Sequence, residues 1–107
     1  MARYRVTLDN DTGPEGQPVQ VTVELGEGEQ VIVGRAGSSK IVCKTGACSR
    51  EHCAFLVLEG VLYLEDLGSS NGTWLNGQKI KRSPVKAGDK IHAGRPRLEV
   101  RVIESVG

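Results

Sequence analysis

Val19-Gln20-Val21-Thr22-Val23-Glu24-Leu25 alternates apolar and polar residues without a break, the period-two pattern of a strand buried on one face. The same period recurs outward from this stretch. Tyr4, Val6 and Leu8 alternate with Arg3, Arg5 and Thr7. Toward the other end, Leu98, Val100 and Val102 alternate with Arg97, Glu99 and Arg101. Between them lie Val31-Ile32-Val33, the run Ala54 to Leu58 and the run Val61 to Leu64. No helix-length window carries a helical period. The chain reads as all-β.

Glu59-Gly60 sits between two apolar runs, and Asn76-Gly77 sits between Leu75 and Gln78-Lys79-Ile80. They are two-residue hairpin signals, because such turns need positive φ and glycine supplies it at no steric cost. Short strands with glycine-rich turns predict a sandwich or barrel. Four longer segments read as irregular: Asp9 to Pro18, Arg35 to Arg50, Gly68 to Gly72 and Lys81 to Asp89. Loops of this kind, held by rigid sheets, are where small sandwiches carry function.

The 107 residues suit one domain, residues 1–107. Fourteen lysines and arginines stand against thirteen acids. That balance argues against a general nucleic-acid or membrane-surface binder, so any functional positive charge must be local. Met1 to Asn10 contains no apolar core of a secretion signal, and no apolar run approaches the roughly 20 residues of a membrane span. A cytoplasmic globular protein is the expectation. Three cysteines, an odd number, do not make a disulfide framework. Cys53 opens an apolar strand and is expected in the core. Cys43 and Cys48 fall in one irregular segment, where oxidation could reshape a binding loop if both are exposed. A zinc site of the three cysteines with His52 is disfavoured, since structural sites prefer tighter cysteine pairs. No metal and no cofactor are expected.

Three features stand at strand ends. Gly34-Arg35 follows Val31-Ile32-Val33. Ser49-Arg50-Glu51-His52 precedes the run from Ala54. Asp66-Leu67-Gly68-Ser69-Ser70-Asn71-Gly72-Thr73-Trp74-Leu75-Asn76-Gly77 joins two strands. Each combines guanidinium, hydroxyl or amide groups with glycine. A phosphate suits such a set: arginine offers a planar fork to its oxygens, and hydroxyls and turn amides complete the shell. Ser49, His52 and Asp66 have the residue types of a hydrolase triad, but Gly-x-Ser-x-Gly and a following helix are missing. An enzyme is not expected.

Gly-Arg, Ser-Arg-x-His and Asp-Leu-x-Ser-x-Asn-Gly-Thr-x-x-Asn-Gly, in that order, resemble the forkhead-associated (FHA) domain family. Ala87-Gly88-Asp89-Lys90-Ile91 resembles that family's turn ahead of a late strand. The match runs from about residue 31 to residue 102. The resemblance implies a β-sandwich of about eleven strands in two packed, mostly antiparallel sheets, whose loops at one end bind phosphothreonine in an extended peptide. It implies that Arg35, Ser49, Arg50 and Ser70 contact the phosphate and that Asn71 holds the peptide main chain. It gives Gly34, His52, Asp66, Gly72, Thr73 and Asn76 architectural roles. The implied partner is a phosphothreonine-bearing protein, a Ser/Thr kinase or its substrate, bound by a monomer. Nucleic acid and membrane are not expected as partners. The alternative is a scaffolding domain of the same fold that binds unphosphorylated protein. The segment Lys40 to Cys48 departs most from the family pattern; Lys40 and Lys44 there would favour acidic side chains in the partner.

Overall fold

The computed structural model describes residues 2–10, 19–35, 39–42, 48–93 and 97–106. Eleven strands form two sheets. The first contains, in spatial order, β2 (Val19–Gly26), β1 (Arg3–Asn10), β11 (Arg97–Ser105), β10 (Lys90–Ala93), β7 (Thr73–Leu75) and β8 (Gln78–Ile80). The second contains β4 (Ile41–Val42), β3 (Gln30–Gly34), β5 (Cys53–Leu58), β6 (Val61–Asp66) and β9 (Arg82–Pro84). Every neighbouring pair is antiparallel except β3 and β4. The all-β sandwich expected from the alternation is the fold observed.

The inward residues of both sheets make one core. Val6, Leu8, Leu25, Val33, Ile41, Phe55, Val57, Leu64, Ile91, Leu98 and Val100 are buried, and burying each such side chain is worth about 1.5–3 kcal/mol. Both two-residue turns take left-handed backbone at both positions: Glu59 and Gly60 at φ 51° and 78°, Asn76 and Gly77 at 51° and 85°. This is the hairpin geometry whose twist matches the strands.

Three local readings change. Thr7 pairs with Val102 but Leu8 pairs with Val100, so Arg101 is an extra residue in β11. This bulge turns Val102 outward, 42% exposed, although the plain alternation put it inside. β4 and β9 lie in segments read as irregular. Both are short edge strands, too brief to show a period, and β9 ends in a proline that an edge tolerates. Several other elements gain residues at their ends, as β6 does by running on to Asp66.

Candidate functional site

Register decides which loops meet. Val33 pairs with Cys53, and Cys53 pairs with Asp66. The exit of β3, the approach to β5 and the exit of β6 therefore lie side by side at one end of the second sheet. The Gly34-Arg35 loop, the Ser49–His52 turn and the Leu67–Gly72 loop all spring from that end.

Backbone contacts lock the first two together. The Arg35 amide donates to the Ser49 carbonyl at 2.9 Å, and the His52 amide donates to the Val33 carbonyl at 2.8 Å. Gly34 has no room for a side chain: a Cβ there would sit 2.0 Å from the Arg50 carbonyl oxygen. The Arg35 side chain is aimed by its Nε, which donates to the Cys48 carbonyl at 3.1 Å. Its two terminal nitrogens have no partner among the described residues and face solvent.

The third loop joins through Ser49 and His52. The Ser49 hydroxyl accepts the Ser70 amide at 3.1 Å, which leaves its own proton for another acceptor. His52 is wholly buried. Its Nδ1 accepts the Ser49 amide at 3.1 Å and its Nε2 lies 2.7 Å from the Gly72 carbonyl, so the neutral tautomer protonated at Nε2 satisfies both contacts. Gly72 sits at φ 84°, in the left-handed region.

Asp66 organises the loop from within. Its carboxylate accepts the Ser69 and Thr73 hydroxyls at 2.5 and 2.7 Å and the Gly68 and Ser69 amides at 3.1 and 3.2 Å. Desolvation pushes this carboxyl upward, but the donors from Ser69, Thr73 and Gly68 outweigh it and hold it below the usual aspartate value. Its negative charge is thus committed inside the loop. Asn71 is exposed at the loop's far end, where its carbonyl accepts the Trp74 indole N–H at 3.4 Å.

The structure therefore brings Gly34, Arg35, Ser49, Arg50, His52, Asp66, Ser70, Asn71, Gly72 and Thr73 to one end of the sandwich. Asn76 lies elsewhere, past the opposite end of β7. Its side chain donates to Asp89 at 2.9 Å and accepts the Lys90 amide at 3.0 Å, pinning the β7–β8 turn to β10. Arg35, Arg50, Lys40 and Lys79 are all exposed, and none forms an ion pair among the described residues.

The triad geometry is absent. His52 receives the amide of Ser49, not its hydroxyl, and Asp66 is saturated by its own loop. The cysteines also separate. Cys53 is a free, buried thiol, pushed up to about 12 by desolvation. Cys48 is 1% exposed and disulfide-bonded, so its sulfur is not a thiolate ligand. Cys43 and Lys44 lie outside the described residues, as does the segment 11–18. No cluster of three potential metal ligands occurs among the described residues.

The FHA domain family model matches residues 31–94, more than half of the chain. The chain belongs to the FHA domain family. The FHA domain-containing protein FhaB of Mycobacterium tuberculosis is 32% identical over 101 residues, covering 94% of this chain and 61% of that protein. The oxoglutarate dehydrogenase inhibitor of Corynebacterium glutamicum is 35% identical over 65 residues, 61% of this chain and 46% of that one. This FHA domain thus spans about three fifths or less of the length of these relatives. A solved structure from work on phosphothreonine-dependent FHA domain interactions superposes with a TM-score of 0.74 at 32% identity, covering 92% of this chain and 96% of that one. The FhaA FHA domain, in complex with the intracellular domain of Rv3910, superposes at 0.73 and 32% identity, covering 90% and 99%.

Two parts of this FHA site escaped the sequence. The Cys48 carbonyl that orients Arg35 is a backbone group, which every residue carries. Lys79 is the other: the space beside Gly72 is filled by its side chain, a Cβ on Gly72 falling 2.8 Å from Lys79 Cε and 3.3 Å from Trp74 Nε1. Nothing in the spacing marks a lysine on the next strand as a neighbour of that loop.

Proposed function

We propose that this FHA domain, residues 1–107, is a binding module that takes a phosphothreonine in an extended segment of a partner protein. The observation that carries the reading is the junction of the Arg35 and Ser49 loops with Ser70. A guanidinium whose terminal nitrogens face solvent and a hydroxyl with an available proton meet there, and the Asp66 carboxylate is turned into its own loop. A phosphothreonine carries about −1.5 to −2 charges at neutral pH, and Arg35 with Arg50 nearly neutralises it. In this reading Arg35 and Ser49 bind the phosphate, Arg50 and Ser70 complete its shell, and Asn71 holds the peptide main chain. Gly34, His52, Asp66, Gly72 and Thr73 set the geometry, while Asn76 braces the β7–β8 turn at the other end of β7. The threonine methyl adds about 0.8 kcal/mol if fully buried, so strong selectivity over phosphoserine also requires phosphoserine to seat poorly.

The partner in this proposal is a Ser/Thr kinase or a protein phosphorylated by one, bound by a cytoplasmic monomer without cofactor, metal, nucleic acid or membrane and without catalysis. No helix among the described residues is long and apolar enough to cross a membrane. Calorimetry of one peptide in phosphothreonine, phosphoserine and unphosphorylated forms tests the proposal. Binding confined to the phosphorylated forms, tighter for threonine, supports it. Equal binding of all three supports a phosphorylation-independent scaffold instead.

A further inference from the structure

The outer face of the first sheet continues directly from the phosphate loops. Trp74 pairs with Lys79 on one side and His92 on the other, so these three side chains share the solvent face while Thr73, Leu75, Ile91 and Ala93 face the core. The row begins at the binding loop itself. The indole N–H donates to the Asn71 carbonyl, and the Lys79 stem lies over Gly72, in the space that a side chain there would need. Lys79 has no carboxylate partner among the described residues, unlike Arg3, Arg5, Arg82 and Arg101, which all form ion pairs. Trp74 is 39% exposed. An aromatic plate thus stands beside an unpaired ammonium, next to the residue that would hold the peptide main chain.

We infer that Lys79 and Trp74 form a specificity subsite for an acidic side chain flanking the phosphothreonine. This rests on the proposed phosphopeptide reading and adds to it a residue class for the partner. The ammonium supplies the charge complement. The indole, with its N–H committed to Asn71, offers an apolar face on which the stem of a glutamate packs while its carboxylate reaches Lys79. An exposed pair of this kind is worth about two- to fivefold in affinity, and salt weakens it.

The test uses the full 107-residue chain and a phosphothreonine peptide set in which each flanking position is in turn glutamate or glutamine. One or more positions should prefer glutamate by about two- to fivefold. Lys79→Gln should bring the glutamate-to-glutamine affinity ratio to about one, whatever it does to phosphopeptide affinity as a whole, and Lys40→Gln should preserve the ratio. Trp74 is the chain's single tryptophan, so its emission should shift more with the preferred glutamate peptide than with its glutamine twin. A glutamate preference that survives Lys79→Gln, or no preference at any position, overturns the subsite while phosphate-dependent binding stands. Failure of every phosphopeptide to bind above its unphosphorylated copy overturns both readings.

Discussion

His52 holds Gly72 and Ser49 at once: its Nε2 meets the Gly72 carbonyl at 2.7 Å and its Nδ1 accepts the Ser49 amide at 3.1 Å. One buried ring thereby couples the turn before β5 to the loop before β7, which share no strand pairing. Together with the Ser49 hydroxyl, which accepts the Ser70 amide, this side chain ties the two loops together. His52→Ala would leave two polar backbone groups without partners inside the protein, each costing about 1–3 kcal/mol. Urea unfolding should show a lower midpoint at unchanged slope, and phosphopeptide affinity should fall although the ring touches no phosphate.

Arg35 should dominate binding. Losing one partner of a desolvated charge pair costs about 2–5 kcal/mol, so Arg35→Ala should weaken phosphopeptide binding by about a hundredfold or more. Arg35→Lys should recover only part of this loss. Lysine has no Nε donor for the Cys48 carbonyl and no planar fork for two phosphate oxygens. Calorimetry giving near-wild-type affinity for Arg35→Ala would remove Arg35 from the site.

Asp66 makes loop stability pH-dependent. Its carboxyl is held below the usual value in the folded chain, so the stabilisation is present at neutral pH and lost as pH falls through the usual aspartate range, about 4, and below. Asp66→Asn replaces an acceptor oxygen by a donor facing hydroxyls and amides that already donate. The variant should be less stable by about 1–3 kcal/mol at pH 7. The gap to wild type should narrow in acid, where the native carboxyl is protonated. A gap independent of pH would assign the loss to packing instead.

The cysteines should differ in reactivity. With its thiol pushed up to about 12 by burial, Cys53 should resist a thiol-specific reagent at pH 8 in the folded protein and react once denatured. The Cys48 carbonyl anchors Arg35 and its sulfur is disulfide-bonded. Mild reduction should therefore loosen that anchor and weaken phosphopeptide binding, since a preorganised site loses less entropy on binding. Unchanged affinity after reduction would show that the loop is set by its hydrogen bonds alone.

How much of this was legible beforehand follows from the kind of signal each feature leaves. Val19 to Leu25 and Val61 to Leu64 declare themselves because a sheet buried on one face forces side chains to alternate. Glu59-Gly60 and Asn76-Gly77 declare their turns because positive φ restricts which residues can stand there. The order of Arg35, Ser49, Ser70 and Asn71 along the chain marks the family, and with it the expected sandwich. The edge strands Ile41–Val42 and Arg82–Pro84 left no such trace, being too short to show a period.

The sequence by itself determined that the chain is all-β and that its phosphate-type residues sit at strand ends, because alternation and turn chemistry are local and act on each residue in place. Only the tertiary structure decided that Val102 faces outward, that the Cys48 carbonyl aims Arg35, and that Lys79 stands beside Gly72. A bulge shifts register without changing composition, a backbone carbonyl has no residue identity, and neighbours on adjacent strands are set by pairing rather than by distance along the chain.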